Sequence, residues 1–166
     1  MLARCMLAAT ALVLFAGSAR AHDWNENGIA WKGLDDALAT AKKTQKPICL
    51  VVYTEWCPHC ANYSKVFHDP KVVEKSTRFV MVHLDQEKEK ERAAKYAPDG
   101  GYIPRTMFLA SDGTLVADAH APSPQYKYFF DEKDPASVLA GMDAALAKAA
   151  PEKTAAPDKK LAPKKK

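Results

Sequence analysis

Two cysteines stand two residues apart in the stretch "TEWCPHC", Thr54 to Cys60, with Trp56 in front of them and Pro58 and His59 between. A thiolate can attack a disulfide, ligate a metal or close a bridge, so three chemistries are open for Cys57 and Cys60. A structural zinc site needs four ligands, and the remaining candidates, His59, His68, His83, His120 and Cys49, form no second compact pair. No metal site is therefore expected. A bridge that closes so short a loop restricts the unfolded chain little and adds little stability. Thiol–disulfide exchange asks for what the stretch offers: an attacking sulfur and a resolving sulfur within its reach.

The neighbouring elements decide how such a pair is held. "ICLVVY", Ile48 to Tyr53, is a continuous apolar, β-branched run, as in a strand buried on both faces of a sheet. A helix should begin around Cys57, and Pro58 suits its first turn, where the missing N–H has no intrahelical role. At that position the unpaired N–H groups and the positive helix end favour a thiolate on Cys57. Pro58 keeps the turn rigid, and His59 adds a second group able to carry positive charge. Cys60, one turn further in, should be less exposed. Trp56 is expected to cover the dithiol, and Glu55 to face solvent. Cys49, inside the apolar strand, reads as a small buried hydrophobe.

A second feature lies far along the chain. "GGYIPR" places Ile103–Pro104 just ahead of a strand, "TMFLA". An X–Pro bond can be cis, and at a strand start such a proline leaves the preceding backbone groups exposed. The N–H and C=O of Ile103 could then pair with an extended client segment as an added strand.

The rest of the chain supplies the frame. Leu34, Ala37, Leu38 and Ala41 share one face of a helix over Leu34 to Lys43. Asp69–Pro70 is an N-cap followed by proline, starting a short helix to about Ser76. "RFVMVHL", Arg78 to Leu84, predicts a second strand, and "DQEKEKERAAKYA" a charged surface helix. "PDGGY" is a turn-rich loop, and "TMFLA" and "TLVA", joined by "SDG", predict a hairpin. Tyr126, Tyr128, Phe129 and Phe130 read as core or edge packing. Asp134–Pro135 repeats the cap signature ahead of a closing helix carrying Val138, Leu139, Met142, Ala145 and Leu146. The expected class is α/β, a mixed sheet with helices on both faces.

The termini differ in composition from the body. Arg4 and the apolar run Cys5 to Gly17, followed by "ARA", have the form of a signal peptide cleaved after Ala21. The expected organisation is a signal peptide over 1–21, one domain over 22–150 and a disordered Lys/Pro/Ala-rich tail over 151–166. After signal removal no transmembrane segment is expected. Of the 24 Lys and Arg residues, two lie in the leader and six in the tail; of the 20 Asp and Glu residues, two lie in the tail. That leaves 16 basic and 18 acidic residues in the body, so nucleic-acid binding has no support.

"WCPHC" after "ICLVVYTE", with "IP" later before a strand, resembles the thioredoxin fold. The blocks "KPICLVVYTEWCPHCANYSKVFHDPKVV", "FVMVHLDQE", "YAPDGGYIPRTMFLASDG" and "YKYFFDEKDPASVLAGMDAAL" are similar to the family of thioredoxin domain-containing protein 12 and the anterior gradient proteins. The resemblance implies Cys57 as nucleophile, Cys60 as resolver, a redox-active disulfide between them, and Pro104 as the cis-proline. Three departures shape the expectation. The dipeptide Pro58–His59 is that of the DsbA oxidases, which points toward oxidation or isomerisation. The chain ends in "PKKK" rather than a retention signal, which suits a periplasmic protein, with secretion or the endoplasmic reticulum lumen as the alternative. Finally, the buried acid that thioredoxins and DsbA carry six residues before the first cysteine is here Val51. The resulting expectation is an exported thiol–disulfide oxidoreductase, monomeric, without cofactor, acting on cysteine-containing protein substrates and recycled by an unknown redox partner. The alternative is a chaperone-like client-binding module with little redox turnover.

Overall fold

The computed structural model describes residues 22–149, so the expected signal peptide (1–21) and tail (151–166) lie outside the described residues. Within them the order is β1 (Trp31–Lys32), α1 (Leu34–Thr44), β2 (Ile48–Tyr53), α2 (Pro58–Ser64), a 3-10 turn (Lys65–His68), α3 (Pro70–Ser76), β3 (Val80–Asp85), α4 (Lys90–Lys95), β4 (Arg105–Leu109) and α5 (Pro135–Ala149).

All six residues of β2 are buried, because the strand lies inside the sheet and both faces of the sheet are covered. The sheet order is β1-β3-β2-β4; β1, β3 and β2 run parallel, and β4 pairs antiparallel with β2. The two-residue period of a strand divides β2 between two cores. Cys49, Val51 and Tyr53 join Cys57, Cys60, Tyr63, Val72, Val138 and Met142, under α2, α3 and α5. Ile48, Leu50 and Val52 meet Leu34, Ala37 and Ala41 of α1 and Ala93 of α4. Cys49 is fully buried, opposite Met81 and Phe108, as its apolar strand predicts.

The proline-marked helix starts form as their chemistry requires. The Asp69 carboxylate accepts from the N–H groups of Lys71 and Val72, and the Asp134 carboxylate from that of Ala136. Tyr128 and Phe130 are buried, while Tyr126 is largely exposed and packs its ring edge-on to Tyr102.

Three expectations change. The predicted charged helix shrinks to α4, because Asp85 belongs to β3 and its carboxylate caps a turn by accepting from the N–H groups of Glu87 and Lys88. The hairpin after β4 is reduced to a bridge between Leu109 and Leu115, since the chain turns away where the Ala119 N–H bonds back to the Val116 carbonyl. The strand predicted from Arg78 starts at Val80, after a turn in which the Arg78 and Phe79 N–H groups bond to Lys75 and Ser76. The two-residue β1 carried too little pattern to be read from sequence.

Candidate active site

Cys57 is the N-cap of α2: its backbone is extended (φ −79°, ψ 116°) and its Sγ accepts the Cys60 N–H at 3.3 Å. The thiol therefore takes one of the amide groups that a helix start leaves unpaired. A turn from Thr54, whose carbonyl accepts the Cys57 N–H, carries the chain from the end of β2 to this point. Cys57 is 3% exposed and Cys60 fully buried, and both are free thiols. Burial pushes the Cys60 thiol up, and its hydrogen bond with Cys57 acts in the same direction.

The other half of the site comes from the loop ahead of β4. Cys57 Sγ lies 4.0 Å from the carbonyl oxygen of Ile103, and the Ile103–Pro104 peptide bond is cis. Pro104 is buried. Among the described residues the Ile103 N–H has no hydrogen-bond partner. Arg105, which sequence reasoning did not single out, fixes this loop from beneath. It is 1% exposed, and its guanidinium donates to the carbonyls of Ala93, Tyr96 and Tyr102 and to the Gln86 side chain. One buried cation thus ties the end of α4 to the residue preceding Ile103.

His59 occupies an open position with a defined partner. Its Nδ1 is 2.7 Å from a carboxylate oxygen of Glu132, whose other oxygen accepts from the Asn62 side-chain amide. The imidazole meets Phe129 edge-on. A groove of about 760 Å³ opens beside the ring, lined by His59, Pro122, Phe129 and Glu132 among others. Glu132 was not a candidate from sequence: it sits 73 residues from His59 in a polar loop, where a charge reads as surface.

Trp56 is 66% exposed, and its indole N–H donates to Glu87, which ties the ring to the β3–α4 loop. Glu55 is half-buried instead of facing solvent, because Tyr53 donates its hydroxyl to it and Lys88 pairs with it. The position of the absent acid, Val51, is fully buried, with His83 of β3 and Thr106 of β4 as its register neighbours.

With one sulfur at a helix start, a second behind it and a backbone carbonyl facing the first, the arrangement can form a mixed disulfide at Cys57 and resolve it through Cys60. A thioredoxin-like family profile matches residues 30–111. The anterior gradient protein 2 homolog of Homo sapiens is 30% identical over 124 residues, covering 74% of this chain and 69% of that protein. Anterior gradient protein 3 of Xenopus tropicalis is 27% identical over 126 residues, covering 74% of each. In structure, a thioredoxin from Thermus thermophilus superposes with a TM-score of 0.56 at 21% identity, over 74% of this chain and 91% of that one. Profile, sequence and fold agree, and the chain belongs to the thioredoxin-like family, in which it is similar to the anterior gradient proteins.

Proposed function

We propose that the chain is an exported thiol–disulfide oxidoreductase that exchanges disulfides with protein cysteines through Cys57 and Cys60, working as an oxidase or isomerase. The observation that carries this reading is the placement of Cys57 Sγ at the N-cap of α2, opposite the Ile103 carbonyl and backed by Cys60. In exchange, a thiolate attacks one sulfur of a disulfide in line and the other sulfur leaves with the electron pair. Cys57 is the sulfur that meets the client. Cys60, buried and with its thiol pushed up, is the sulfur that releases it. The Ile103 N–H, without a partner among the described residues, suits an extended client chain lying across the dithiol. The direction rests on Pro58 and His59, the dipeptide of an oxidase, and export rests on the leader form of residues 1–21.

The test uses protein beginning at His22, incubated with a reduced protein client in a glutathione buffer. Exchange should occur and disappear in the Cys57→Ala/Cys60→Ala variant. If the double variant still holds unfolded clients and the wild type exchanges nothing, the client-binding reading replaces this one. A midpoint potential as low as that of thioredoxin, about −270 mV, would remove the oxidase direction.

A further inference from the structure

Thiol–disulfide exchange moves a proton as well as electrons, so the site needs a group to take it. An ordinary thiol, titrating near ~8.5, is only a few per cent ionised at neutral pH, so a client thiol must lose its proton before it attacks. The position that supplies a buried carboxylate in thioredoxins holds Val51, and His83 and Thr106 beside it lie within the sheet. Glu55 is engaged by Tyr53 and Lys88.

His59 is placed differently. It stands between the two cysteines in the chain, two residues after Cys57 and one before Cys60, its side chain is 61% exposed, and it lines a groove together with Phe129 and Glu132. Its Nδ1 faces the Glu132 carboxylate at 2.7 Å, and a carboxylate can only accept, so Nδ1 is the nitrogen that carries hydrogen. The basic nitrogen left on a neutral ring is then Nε2, which has no partner among the described residues. Glu132 is itself fixed: its side chain is only 14% exposed, and its second oxygen is held by Asn62. Carboxylate, oriented imidazole and free Nε2 are the parts by which a hydrolase histidine receives a proton from its nucleophile. Asp131, Lys133 and Asp134 are the other charged residues lining the groove, and Lys65 bonds to the Asn62 side chain that holds Glu132.

We propose that His59 is the proton-transfer group of the exchange reaction and that Glu132 is the positioning residue that makes its Nε2 the accepting nitrogen. The proposal rests on the exchange function proposed above. In the oxidising direction His59 Nε2 takes the proton of the first client thiol, and the resulting thiolate attacks Cys57 Sγ. The client–Cys57 bond forms, the Cys57–Cys60 bond breaks, and Cys60 leaves with its electron pair and takes a proton from water, to which His59 returns the one it holds. The second client thiol passes its proton to Nε2 in turn and attacks the first client sulfur; the client disulfide forms, and Cys57 leaves with its electron pair and takes that proton from Nε2. Two electrons and two protons have moved from the client to the pair. In the reducing direction the same nitrogen protonates the departing client sulfur.

The test measures oxidation of a synthetic two-cysteine peptide by wild type, Glu132→Gln, Glu132→Asp and His59→Phe, together with the glutathione equilibrium and the melting temperature of each. At neutral pH the Gln and Phe variants should be slower by about tenfold, within the ~30-fold that full ionisation of an ordinary thiol can give. The Asp variant should recover most of the rate. The deficit should close above pH ~9.5, where the peptide thiol ionises unaided. Glutathione equilibria within about twofold of wild type would show that the pair changes the rate and not the potential. Unchanged rates, or equilibria that move in step with the rates, would overturn the relay and leave His59 and Glu132 as fixed charges. A wild type that neither oxidises the peptide nor reduces its disulfide form would instead refute the exchange function, and the relay with it.

Discussion

Cys57 Sγ and the Ile103 carbonyl oxygen stand 4.0 Å apart, although 46 residues separate them. The β2–α2 junction supplies the sulfur and the loop before β4 the carbonyl, and antiparallel pairing of β2 with β4 brings the two together. The three cysteines of the described domain should consequently differ in reactivity. Cys57 stands at the helix start, whereas burial pushes up the thiols of both Cys60 and Cys49. Because the thiolate is the reactive form, iodoacetamide should label Cys57 first, Cys60 more slowly, and Cys49 only on unfolding. Peptide mass spectrometry at timed intervals reads this order, and early labelling of Cys49 would contradict it.

Arg105 should be worth more to stability than any surface ion pair. Replacing it with Met keeps the apolar stem but leaves the carbonyls of Tyr96 and Tyr102 without their donor and that of Ala93 with only the Tyr96 N–H. Unsatisfied buried acceptors cost about 1–3 kcal/mol each in the worst case, partly relieved by water, so a loss of roughly 3 kcal/mol is expected. Urea unfolding of Arg105→Met measures it. By contrast Arg92→Ala, which breaks exposed contacts with Asp35 and Glu89, should leave stability nearly unchanged.

Gly141 tests packing against helix propensity. In the interior of α5 alanine should gain about 1 kcal/mol over glycine. A Cβ there would meet the Phe130 ring at 2.6 Å and the Phe108 ring at 2.8 Å, and overpacking of this kind costs about 1–3 kcal/mol. Both rings are buried and have little room to retreat, so Gly141→Ala should be destabilising, with a lower melting temperature. A variant more stable than wild type would mean that the rings yield.

His83 should make the domain acid-sensitive. It lies among Trp24, Trp31 and Tyr53, its ring parallel to that of Trp24, and burial lowers its pKa from 6.5. The unfolded chain then binds a proton that the folded chain refuses. This contribution is intact above about pH 6.5 and is lost as pH falls toward the lowered folded value. Denaturant midpoints should decline over that window, and the decline should be shallower in His83→Phe. Equal slopes in the two proteins would remove His83 from the account.

The parts legible in the sequence were those set by local rules. The buried run of β2, the apolar face of α1 and the prolines at the starts of α2, α3 and α5 each carry their signal within a few residues. What was not legible depended on tertiary pairing. The sequence "DQEKEK" looks helical until Asp85 is drawn into β3 opposite Tyr53. "TLVA" looks like a hairpin arm, but only Leu115 finds a strand partner. Glu132 and Arg105 read as ordinary surface charges because their partners, His59 and the end of α4, lie far away in the chain.

The central claim, that Cys57 forms a mixed disulfide with a client and Cys60 resolves it, is tested most directly by Cys60→Ala. Removing the resolving sulfur should leave clients attached to Cys57, seen as high-mass bands on non-reducing gels that vanish with reductant. The same bands should be absent from Cys57→Ala. No trapped species in Cys60→Ala, or equal trapping in the two variants, would contradict the account.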